Sequence, residues 1–187
     1  MLTDKYFNKG NSFFKLRKYQ EAIKNYDVAI KCNPDSAEAY MNKGAALNEL
    51  GQYQEAIENY DIAIRYNPND VNAYYNKGIA LNDLGRYQEA IDNYDIAIKH
   101  KPDLAEAYMN KGVALRKLGQ HQEAIKKFNL AIKYNPGFAE AYMNKGDTLK
   151  QLGQREKAIK NFELAIKYNP GLIAPYIRDI LKKVEMQ

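Results

Sequence analysis

Pro34, Pro68, Pro102, Pro136 and Pro170 stand 34 residues apart, and most of the residues between them recur in step. A unit that repeats at 20–50 residues is too small to bury its own apolar face, so it must stack on copies of itself. The period therefore predicts an array of similar units. Any function should lie on the surface that the stack presents, not in a pocket within one unit.

With the proline set at position 32, the repeats are 3–36, 37–70, 71–104, 105–138 and 139–172, and residues 173–187 remain. Position 4 is Tyr6, Tyr40, Tyr74, Tyr108 and Tyr142; position 8 is Gly10, Gly44, Gly78, Gly112 and Gly146. Position 20 is always alanine, and position 24 is Tyr26, Tyr60, Tyr94, Phe128 and Phe162. The apolar positions follow helical spacing in two runs per repeat. In the second repeat these runs predict a helix A over 37–50 and a helix B over 53–66. Gly51, Gly85, Gly119 and Gly153 lie between the two, where a left-handed C-terminal residue is wanted. Arg17 takes that place in the first repeat. The glycine at position 8 costs about 1 kcal/mol against alanine inside a helix, so its recurrence predicts that the partner helix approaches there. The aromatic at position 4 is expected to point inward, which turns position 5 outward.

This pattern resembles the tetratricopeptide repeat family over residues 3–172. Tyrosine replaces the family's usual tryptophan at position 4, and lysine its usual leucine at position 7; a lysine stem still covers apolar surface. The resemblance implies an all-α, right-handed α-solenoid of helix-turn-helix repeats. Residues 173–187, with Tyr176, Ile177, Ile180, Leu181 and Val184 at helical spacing, read as a C-terminal capping helix.

The resemblance also implies that helix A lines a concave groove, with positions 2, 5, 6, 9, 12 and 13 facing a bound peptide. Position 6 is Asn8, Asn42, Asn76, Asn110 and Asn144. Asparagine is a mediocre helix-interior residue, and its amide offers the acceptor and donors that match a peptide main chain. The line is similar to the asparagine ladders of other tetratricopeptide superhelices; the alternative is a consensus residue copied by duplication and bonded to a neighbouring helix. Position 5, Phe7, Met41, Tyr75, Met109 and Met143, is expected to receive partner side chains, since methionine repacks readily. At positions 12 and 13, Glu49 and Asp83 give way to Arg116, Lys117 and Lys150 in later repeats, and such a change of sign would orient a partner.

The expected function is binding of an extended peptide or protein segment. A self-associating scaffold, with the chain as a homo-oligomer, is the alternative, and RNA binding stands behind both. The net charge of +5 divides as +3, −4, −1, +4 and +2 over the repeats and +1 over the tail, so the acidic second repeat interrupts any basic track. The family's chaperone-carboxylate clamp needs cations that are missing here: its first triplet of repeats offers Phe7, Asn11, Asn42, Asn72 and Asn76. His100 and His121 fall on different helices, each where tyrosine is usual. With no glycine-rich phosphate loop, the chain is expected to be neither enzyme nor metal or cofactor carrier. Cys32 is the single cysteine, which rules out an intrachain disulfide. The absence of an apolar run near ~18 residues and of a secretory pattern at the start predicts a cytoplasmic protein without a membrane span.

Overall fold

The computed structural model describes residues 2–172, which form ten α-helices and a short 3-10 turn. The capping helix expected over 173–187 lies outside the described residues. The chain divides into two compact units, Met1–Pro102 and Asp103–Gln187. The first holds α1 (Leu2–Lys15), α2 (Tyr19–Cys32), α3 (Ala37–Glu49), α4 (Tyr53–Tyr66), α5 (Val71–Asp83) and α6 (Tyr87–His100). The second holds α7 (Ala105–Lys117), α8 (His121–Tyr134), α9 (Ala139–Gln151) and α10 (Arg155–Tyr168). Within each unit every helix packs on its neighbours in the chain. The A helices also touch one another, α1 on α3, α3 on α5 and α7 on α9, as in a short α-solenoid. No helix of the described residues is long and apolar enough to cross a membrane.

The turn chemistry follows the repeat. Gly51, Gly85, Gly119 and Gly153 have φ of 74 to 77°, and the residue after each donates its N–H back to the helix just closed, as Gln52 does to Leu47 at 3.0 Å. Arg17 adopts the same conformation at φ 57°, a region that strains any residue with a Cβ.

The core forms where position 8 of helix A meets position 24 of helix B. A Cβ on Gly78 would lie 2.5 Å from Cε1 of Tyr94, and one on Gly112 2.6 Å from Cε1 of Phe128. These rings and the alanines at position 20 are almost wholly buried. The fully buried aromatic is thus position 24; position 4, expected to point inward, is half-buried at Tyr6, Tyr40, Tyr74 and Tyr108 and buried at Tyr142. Tyr40, Tyr108 and Tyr142 stack on Tyr66, Tyr134 and Tyr168 at the far end of helix B, with centroids 5.4 to 6.1 Å apart. His100 fills the tyrosine's place on Tyr74 at 6.2 Å. A ring near the open end of a helix pair gains more from stacking on its neighbour than it would from a core already filled by position 24.

Candidate functional site

In the unit Met1–Pro102, the A helices of the first three repeats enclose a cavity of about 530 Å³. Asparagine amides line it from Asn11, Asn42, Asn48 and Asn76, and Phe14, Met41 and Ile79 supply apolar wall. Lys15 and Glu49 stand at its edge, and the rings of Tyr26 and Tyr60 reach it from helix B. A concave site with apolar walls and a few polar groups is the usual form of a ligand pocket.

The polar groups are held by one another. Asn11 Oδ1 accepts from the Tyr26 hydroxyl at 2.8 Å and from Asn42 Nδ2 at 3.0 Å. Asn76 Nδ2 points at the Met41 sulfur, 3.9 Å away. Glu49 accepts from the Tyr19 hydroxyl at 2.9 Å, which raises the Tyr19 pKa. Among the described residues, Asn48 keeps a buried amide oxygen with no donor, and Asn82, one repeat on, keeps another. Buried acceptors without a partner are uncommon in folded proteins.

The cavity therefore brings together four of the expected residues of this unit: Met41, Asn42, Glu49 and Asn76. Asn8 is exposed and lies outside its wall. Tyr75 packs obliquely on Tyr94, centroids 6.1 Å apart, as Phe7 does on Tyr26 at 6.0 Å. Position 5 thus serves partly as core. Asp83 is exposed, and partial burial lifts its carboxyl above the ordinary value. Asn11 and the Tyr26 and Tyr60 rings were not among the expected site residues. For Asn11, at position 9 among the groove-facing positions, the signal was the helical spacing, which sets it beside positions 5 and 12 on one face.

In the unit Asp103–Gln187 the corresponding amides are bound more fully. Asn144 Nδ2 donates to the Glu140 carbonyl at 2.9 Å and lies 3.9 Å from the Met109 sulfur. Its Oδ1 accepts from Arg116 Nη2 at 3.2 Å. Asn110 is half-buried and engaged. Met143 packs against the Leu149–Phe162 cluster. Lys117 and Lys150 are exposed. Asn59, Asn93 and Asn161, at position 23 of helix B, are buried and donate to the carbonyl one turn earlier at 2.7 to 2.8 Å. No group of three or more His, Cys, Asp or Glu side chains gathers to hold a metal among the described residues.

Models described as tetratricopeptide repeat match residues 49–105, 75–139 and 139–172, and one described as TPR repeat matches 10–51. A crystal structure of MamA is 27% identical with a TM-score of 0.79, covering 86% of this chain and 94% of that one. YrrB, described as a TPR protein with an unusual peptide-binding site, is 26% identical with a TM-score of 0.73, covering 90% of this chain and 87% of its own. TTC0263, a thermophilic TPR protein in Thermus thermophilus, is 19% identical, covers 96% and 98%, and matches in fold with a TM-score of 0.75. No curated protein sequence matches the chain.

Proposed function

The chain belongs to the tetratricopeptide repeat family, whose members are protein-interaction modules, and on that premise we propose that it binds an extended peptide in the helix-A cavity of the unit Met1–Pro102. The observation that carries this reading is the 530 Å³ cavity walled by amides one repeat apart. Asn42 and Asn76 each direct part of the amide at the preceding repeat, which fixes the rotamer. The rest of each amide, one N–H and the oxygen's lone pairs, is available to a peptide main chain. Met41, Phe14 and Ile79 receive apolar side chains, while Lys15 and Glu49 set direction by their opposite signs. The description of YrrB as a peptide-binding TPR protein supports the class of ligand. The amides at Asn110 and Asn144 extend the ladder in sequence, but the bonds to Asn144 make it the weakest contributor.

A displayed library of random peptides supplies the probe. An enriched peptide should bind the parent chain and lose at least about tenfold in affinity to the Asn42→Ala, Asn76→Ala variant, the scale of two lost hydrogen bonds. The variant's thermal midpoint should stay close to the parent's. Equal affinity, or a marked loss of stability, would assign these amides to the fold.

A further inference from the structure

Position 7 of helix A is lysine in all five repeats, and in the second and third its ammonium has a partner built into the fold. Lys43 pairs with Asp27 at 2.7 Å and Lys77 with Asp61 at 2.5 Å. The acid lies on helix B of the preceding repeat, 16 residues earlier in the chain. Counting back equally from Lys145 reaches Asn129, so the sequence carries an amide where Lys43 and Lys77 have a carboxylate. Lys145 makes no hydrogen bond or ion pair among the described residues, and burial holds its pKa below the ordinary lysine value. A half-buried ammonium with no partner among the described residues is costly.

The surroundings change sign with it. Positions 19 and 22 of helix B are Glu55 and Glu58 in the second repeat and Glu89 and Asp92 in the third; in the fifth they are Lys157 and Lys160. These lysines, Lys145 and Gln122 border a pocket of about 440 Å³ within the unit Asp103–Gln187, floored by Ile125 and Leu149. Among the described residues no carboxylate lines it. It shares no residue with the helix-A cavity described above.

We propose that this pocket binds a carboxylate on an acidic segment of a protein partner, which supplies Lys145 with what Asp27 and Asp61 supply to Lys43 and Lys77. The internal pairs are the argument for a carboxylate: the same lysine, at the same place in the repeat, is neutralised by one. Lys160 and Lys157 add positive field, although Lys157 also donates to Gln154 at 3.0 Å. Nucleic acid fits less well, because the lining from the described residues has neither an arginine fork for phosphate nor an aromatic ring on which a base could stack.

The test titrates the full chain with a capped peptide of four consecutive glutamates, its glutamine counterpart, citrate and a short single-stranded RNA. The glutamate peptide should bind and the glutamine peptide should not. Lys145→Met, which keeps the stem and removes the charge, should weaken binding at least about tenfold. Asn129→Asp, which gives Lys145 an internal carboxylate, should weaken it similarly while the helical circular dichroism is retained. Binding that is indifferent to both substitutions would overturn the proposal. So would citrate binding as tightly as the peptide, which would make a free anion the ligand, or RNA binding more tightly through Lys145.

Discussion

At the scale of single residues, the molecule rests on a contact between an atom that is absent and a ring that cannot move. Gly78 leaves room for Tyr94, whose ring is 1% exposed and held by the surrounding core. Gly78→Ala gains about 1 kcal/mol of helix propensity but overpacks a fixed neighbour, at a cost of roughly 1–3 kcal/mol. The expected result is a net loss of about 1 kcal/mol in denaturant unfolding. In a Tyr94→Leu background the same substitution should be neutral or stabilising; an equal loss in both backgrounds would show that the ring is not the obstacle. The need for this glycine was legible, because a costly residue recurred at one place. The meaning of a recurring mid-helix asparagine was not. Asn59 and Asn42 break the same propensity rule, yet Asn59 is buried against its own helix and Asn42 borders a cavity. Only the direction of the helix face separates them, and that depends on packing between repeats.

At the scale of elements, the A helices begin in two chemically different ways. The Asp70 carboxylate accepts from the N–H groups of Asn72 and Ala73 at 2.9 and 3.3 Å, and the Ser36 hydroxyl from that of Ala39 at 3.3 Å. Leu104 and Phe138 hold the same place before α7 and α9 and offer no side-chain acceptor. All four helices nevertheless start at the same position of the repeat, so stacking, not capping, sets the helix ends. This explains why helix limits read from apolar spacing fell within a residue of those observed for α3 and α4. Capping should then tune stability without moving boundaries. Asp70→Ala is expected to cost about 1 kcal/mol, with hydrogen exchange accelerated at the amides of Asn72 and Ala73 and unchanged at the far end of α5. An effect spread evenly along α5 would mean that the cap holds the whole helix.

At the scale of the whole molecule, the 34-residue period made the fold class legible, while the differences between its two units lay in substitutions that the period hides. Position 24 is tyrosine in the unit Met1–Pro102 and phenylalanine in the unit Asp103–Gln187. Both fill the same space above glycine, but only tyrosine titrates. Burial, with the Glu38 charge, pushes the Tyr26 phenol up to about 12, and burial pushes Tyr60 and Tyr94 higher still. A phenol whose pKa is raised by folding contributes stability that is complete below its unfolded value, about 10, and is lost as pH rises through the folded value. Between about pH 10 and 12 the unfolded chain ionises these rings and the folded chain resists, so stability falls by up to about 1.4 kcal/mol per pH unit for each ring. In the other unit the position-24 rings are phenylalanine and cannot ionise, and burial shifts Tyr142 upward. The unit Met1–Pro102 should therefore lose its slow-exchanging amides first as pH rises. Replacing Tyr60 and Tyr94 with phenylalanine, the residue that the other unit already uses there, should move the alkaline unfolding midpoint to higher pH and leave the neutral-pH helical signal intact. A midpoint unchanged in that variant would mean that alkaline unfolding begins elsewhere, and the two kinds of core ring would then be equivalent in their response to pH.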